Sequence, residues 1–159
     1  MPKLREALED AGFGDVKTYL QSGNVVLSSG KSAAAVGREC KRLISDRFGL
    51  DIDVVVRSRA ELAKVVRRNP LGDVATNPKL YQVSFLAGKP KPEVVRKLAD
   101  LAVPSEKLFA SGRELYAWHP KGVARSKLWA GLAGRGLGAT ATARNWTTVT
   151  KLLALADEG

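Results

Sequence analysis

Thr140–Leu153 reads TATARNWTTVTKLL. Thr and Ala alternate as far as Ala143, which is the period-two pattern of a half-buried strand. The pattern breaks at Arg144-Asn145-Trp146. Asn145 is a residue type whose side-chain oxygen can accept from the free backbone N–H groups of a starting helix. The stretch therefore predicts a strand over 139–143 that turns directly into a closing helix. The same layout occurs earlier: Ile52–Val56 is a β-branched run, and Arg57-Ser58-Arg59 leads into Ala-Glu-Leu-Ala-Lys-Val-Val.

Working outward, each of these joints closes a similar series. In the first half, Leu4, Ala7, Leu8 and Ala11 have helical spacing, and Gly12 is placed to end that helix. Val16–Leu20 and Asn24–Ser28 read as a hairpin turning through Gln21-Ser22-Gly23. Ser32 caps a helix whose inner face is Val36, Cys40, Leu43, Ile44 and Phe48, and Gly49 ends it. In the second half, Leu80–Ala87 is a strand and Val94, Val95, Leu98 and Leu101 mark a helix. Lys107–Ala110 and Glu114–Trp118 form a hairpin around Ser111-Gly112. Ser126 caps a helix containing Leu128, Trp129 and Leu132. Both hairpins turn at Ser-Gly, and the two series keep nearly constant spacing, which is the signature of an internal duplication.

The expected fold is α+β, built from two tandem ferredoxin-like (split βαβ) units, the first lacking its opening strand. Residues 1–69 form the first unit, 70–79 a linker with two Asn-Pro steps, and 80–159 the second unit with its closing helix. Without the opening strand, two strands of the first sheet would keep unpaired backbone groups on facing edges. Three arrangements would satisfy them: a natural start upstream of Met1, a strand supplied by another chain, or re-pairing across the gap.

Composition narrows the function classes. The 159 residues hold one cysteine and one histidine, which excludes an internal disulfide and a clustered zinc or iron–sulfur site. No run of 18 or more apolar residues is present, and the amino terminus lacks a signal-peptide core, so a cytoplasmic protein without a membrane span is expected. The net charge is +10. It is divided between the halves: residues 1–69 carry 13 Lys and Arg against 9 Asp and Glu, and residues 70–159 carry 13 against 7. Such a balance favours an anionic partner.

Several local patterns fall short of a motif. Gly30-Lys31-Ser32 opens a helix after a strand, but the phosphate-binding loop needs a Gly where Val25 stands. Gly131, Gly134, Gly136 and Gly138 follow a helix and precede a strand, the reverse of a dinucleotide fingerprint. His119 has no nucleophile placed beside it by any motif, so it reads as a surface residue, as do Asp51 and Asp53. Cys40 reads as core. No cofactor is expected.

Two sets of residues remain as candidates. Arg144, Asn145 and Trp146, with Ser126 and Lys127, stand at helix starts, where positive potential gathers. With Gln21, Ser22 and Asn24 they are candidate ligand-binding residues, in a pocket expected between the two units. Tyr116 and Trp118 share one face of a strand, and Tyr81 and Phe85 share one face of its expected neighbour. RNA-recognition modules stack bases on aromatics so placed, although their glycine-aromatic signature is missing.

The runs KTYLQSGNVVLSS (Lys17–Ser29), RSKLW (Arg125–Trp129) and ATARNWTTVTKL (the stretch ending at Leu152) resemble the family called domain of unknown function 1697. The resemblance covers nearly the whole chain. It implies a small bacterial cytoplasmic protein of duplicated ferredoxin-like architecture with no established activity. The family's usual opening strand, ending in a glycine-rich run, has no counterpart here. The leading expectation is a non-enzymatic binding module for an anionic partner, nucleic acid above all. A small-ligand-binding protein or enzyme, and a homodimeric or larger assembly completed by strand exchange, are the alternatives.

Overall fold

The computed structural model describes residues 2–19, 23–133, 137 and 140–158. The described residues form six helices and two antiparallel sheets in mixed α+β order. By its internal contacts the chain divides into two compact units, 1–63 with 151–159, and 64–150.

In the first unit, α1 (Pro2–Asp10) precedes a hairpin of β1 (Gly14–Tyr19) and β2 (Asn24–Ser28), which among the described residues pair only with each other. α2 (Ala33–Phe48) starts where expected: the Ala35 N–H donates to Ser32 Oγ (3.2 Å). It ends on Gly49, whose φ of 67° is the left-handed conformation that a side chain disfavours. Leu8, Phe13, Val16, Val36 and Cys40 form the core, so Cys40 is the packed thiol its spacing implies. Burial, with the nearby Glu39 carboxylate, pushes that thiol's pKa up, which keeps it protonated and unreactive. Asp51 and Asp53 are exposed and pair with Lys41.

The strand expected at Ile52–Val56 is not formed. No described strand pairs with it, and β-branched composition alone makes no ladder. The helix after it, α3 (Arg59–Arg68), begins with a reciprocal cap. The Glu61 N–H donates to Ser58 Oγ (3.1 Å), and the Ser58 N–H donates to Glu61 Oε1 (2.9 Å). Its first residue, Arg59, pairs with Asp157, and Lys17 donates to the Leu155 carbonyl (3.3 Å).

The second unit has the order β3 (Tyr81–Leu86), α4 (Pro92–Leu101), β4 (Lys107–Ser111), β5 (Glu114–Trp118), α5 (Lys127–Ala133), β6 (Ala141–Asn145), and then the start of α6 (Trp146–Asp157). The sheet order is β4-β5-β3-β6, all antiparallel. β5 therefore lies between β3 and β4, the two strands joined by α4.

Strand alternation gives this sheet two faces. One carries Leu86, Leu115 and Ala117 and packs with Leu98 of α4 and Leu128 and Leu132 of α5. Gly131 permits the close approach of these helices: a Cβ there would stand 2.8 Å from Leu101 Cδ1 and 3.0 Å from Leu98 Cδ2. That contact accounts for one of the four glycines that resembled a nucleotide fingerprint. Gly134, Gly136 and Gly138 lie outside the described residues.

The opposite face carries Tyr81, Val83, Phe85, Tyr116 and Trp118, all buried. The Tyr116 hydroxyl donates to the Val65 carbonyl of α3 (3.0 Å), and the Tyr81 hydroxyl donates to Asn69 Oδ1 (3.0 Å). Burial raises both phenols, Tyr81 to about 12, so each remains a protonated donor.

Candidate anion-binding end of the second unit

The register puts the starts of β3 and β4 and the ends of β5 and β6 at one end of the sheet. Tyr81 and Lys107 both stand opposite Trp118, and Gln82 stands opposite Asn145. Most of the expected ligand residues of this unit fall at that end.

Arg144 lies on β6 opposite Val83. Its guanidinium Nη1 donates to Thr142 Oγ1 (2.6 Å) and to the Ala143 carbonyl (2.8 Å). Partial burial lowers its pKa, which makes it a costly cation held by neighbouring oxygens. Asn145 is the cap the sequence implies: the Thr148 N–H donates to its Oδ1 (2.9 Å). Asn145→Ala should cost about 1 kcal/mol, and Asn145→Asp should keep most of that, as read from thermal denaturation of both variants. The indole of Trp146 stacks on Tyr81 with centroids 4.7 Å apart and planes inclined by 20°.

Ser126 belongs to a cluster the sequence did not announce. Glu106, just before β4, and His119, just after β5, are both buried. His119 Nδ1 is 2.7 Å from Glu106 Oε2, and Ser126 Oγ donates to the same oxygen at 2.6 Å. The other carboxylate oxygen, Oε1, accepts from the Val103 N–H (3.2 Å). Burial pushes the Glu106 pKa up, but the bonds from Ser126, His119 and Val103 outweigh it and hold the carboxyl below its ordinary value. Glu106 is therefore the anion of the cluster, and His119 Nδ1 is the imidazole nitrogen directed at it. The other ring nitrogen, Nε2, is buried without a hydrogen-bond partner.

This arrangement corrects the expectation that His119 lies at the surface: it is 0% exposed. It also differs from a nucleophilic triad. There the hydroxyl gives its proton to the imidazole nitrogen remote from the carboxylate. Here Ser126 and His119 share one carboxylate oxygen, and Ser126 Oγ additionally accepts the Trp129 N–H of α5 (3.0 Å). The cluster acts as a clamp on three chain segments: the turn before β4, the exit of β5 and the start of α5. Sequence offered one signal for it. The chain's single histidine directly follows the apolar run Leu115-Tyr116-Ala117-Trp118, which argues for burial.

The clamp hides an acid while cations stay outside. Lys79, Lys107, Lys121, Arg125 and Lys127 are all exposed at or beside this end of the sheet. The asymmetry is larger than the division at residue 69 suggested. The first compact unit carries 11 Lys and Arg against 11 Asp and Glu; the second carries 15 against 5. The whole net charge of +10 belongs to 64–150.

The four rings expected to stack bases are not presented for it. Tyr81, Phe85, Tyr116 and Trp118 are buried, because the face they share is occupied by Val65 and by ring-on-ring contacts. Phe109 of β4 is instead 37% exposed, with Arg68 5.5 Å from its ring centroid. Asn24, in the first unit, is buried and donates to the Tyr19 carbonyl within its own hairpin (3.0 Å). Gln21 and Ser22 lie outside the described residues. Among the described residues no group of three His, Cys, Asp or Glu could hold a metal ion, and no helix is long and apolar enough to cross a membrane.

The chain belongs to the family described as protein of unknown function DUF1697, which matches residues 1–116. Its fold is similar to that of "conserved bacterial protein SP0830 from Streptococcus pneumoniae". The TM-score is 0.78 at 17% identity, over 98% of this chain and 88% of that one. No curated protein matches the sequence.

Proposed function

We propose that the chain is a binding module for an anionic polymer, single-stranded nucleic acid above all, and that residues 64–150 carry the binding surface. The observation that supports this reading most is the confinement of the whole net charge of +10 to that unit. Phosphate backbones respond to such a surface through release of counterions. Phe109 with Arg68, on the same strand face as Lys107, supplies the exposed aromatic and cationic pair that sequence-tolerant base stacking uses. The strand order β4-β5-β3-β6 also supports reading this unit as ferredoxin-like, and the order α1-β1-β2-α2, which parallels α4-β4-β5-α5, supports reading the first unit as a partial copy of it.

Titration of a fluorescent single-stranded RNA at several salt concentrations tests the proposal. The logarithm of affinity should fall linearly with the logarithm of salt, with a slope of about −0.7 per phosphate contacted. Phe109→Ala should weaken binding by about tenfold without changing that slope. Salt-independent retention, or no retention at low salt, would remove the proposal.

A further inference from the structure

On the helix-covered face of the second sheet, α5 and β6 do not close completely. Between them and β3 lies a cavity of about 300 Å³ lined by Ser84, Trp129, Leu132, Ala133, Ala141, Thr142 and Ala143. That volume equals about ten waters of liquid. It falls at the lower end of the range for small-molecule sites. The room arises because β6 presents Ala141 and Ala143 to this face, and neither reaches toward the helix. Trp129 supplies an aromatic wall and Leu132 an aliphatic one.

The lining mixes polar and apolar surface, and one of its side-chain hydroxyls lacks a partner. Ser84 is 1% exposed, and its Oγ is buried without a hydrogen-bond partner. The Thr142 hydroxyl is already engaged by Arg144 Nη1 at 2.6 Å. A buried hydroxyl without a partner is costly, and a guest that bonds to it offsets that cost. A serine hydroxyl can both donate and accept, so it suits a guest with a hydroxyl or carbonyl group.

We propose that this cavity is a binding site for a small aromatic molecule carrying one hydrogen-bonding group. Trp129 and Leu132 hold the ring, and Ser84 Oγ holds the polar group. The site is separate from the anion-binding surface and does not depend on it.

Phenol and toluene are the probes, added to the full chain while the Trp129 indole resonance is followed by NMR. Phenol should shift that resonance saturably and bind about five- to tenfold more tightly than toluene, as one neutral hydrogen bond implies. Ser84→Ala should remove the difference by weakening phenol alone. Ala143→Leu fills the space and should abolish binding of both. If Ala143→Leu disturbs the fold, as its unfolding curve would reveal, the Ser84→Ala comparison decides. Absence of any saturable shift means that the cavity holds water only, and the proposal fails. It also fails if phenol retains its advantage over toluene in Ser84→Ala.

Discussion

Glu106→Ala should lower the stability of the chain by about 3–5 kcal/mol, the range for breaking a buried charge-assisted network by removing one partner. One carboxylate accepts from Ser126, from His119 and from the Val103 N–H. Its removal strands all three donors at once, and buried donors without partners are expensive. Glu106→Gln keeps a carbonyl oxygen but loses the charge, and should fall between the two. Urea denaturation of the three proteins checks this. A loss below about 1 kcal/mol for Glu106→Ala would show that the clamp does not hold the unit together.

The same network predicts a pH dependence. The Glu106 carboxyl is held below its ordinary value in the folded chain, because its three donors outweigh desolvation. A carboxyl depressed by folding stabilises the protein fully above its unfolded value, about 4.3 for glutamate. That contribution is lost as pH falls from there through the lower folded value. Glu106→Ala should flatten this part of the acid limb.

The second large effect concerns affinity. Reversing Lys107, Lys121 and Lys127 to glutamate should weaken RNA binding by about 100-fold or more at moderate salt and reduce the salt slope by about two. All three are exposed, and Lys107 and Lys127 flank the clamp through Glu106 and Ser126. The matched control reverses Lys3, Arg38 and Arg42, exposed residues of the charge-balanced first unit. It applies the same change of net charge and should have little effect. Equal losses from the two triples would mean that the whole protein's charge, and no particular surface, drives association.

Local chemistry was the part of this molecule that the sequence disclosed well. Ser32, Ser58 and Asn145 cap helices as their residue types imply, and Gly49 takes the left-handed ending. These features depend on neighbours within four positions along the chain. Residues 52–56 show the limit: composition suited a strand, but a strand exists only with a pairing partner, and pairing is not a local property. The clamp joins residues 106, 119 and 126, brought together by the β4–β5 hairpin and the turn into α5, so no contiguous motif displays it. The charge asymmetry was obscured because the compact units divide within α3 and α6, whereas loop chemistry suggested a break at the Asn-Pro steps.

The position of β3 also bears on where the protein opens first. It is hydrogen-bonded on both edges, to β5 and to β6, whereas β1 and β2 have one ladder between them. A two-stranded sheet is marginal by itself and relies on its packing. Amide hydrogens of β3 are released only when the second unit comes apart as a whole, while those of the first hairpin can exchange through smaller, cheaper excursions. The native state is thus graded in protection, with its most persistent backbone in the two central strands, β3 with Tyr81 and Ser84, and β5, which is likewise paired on both edges.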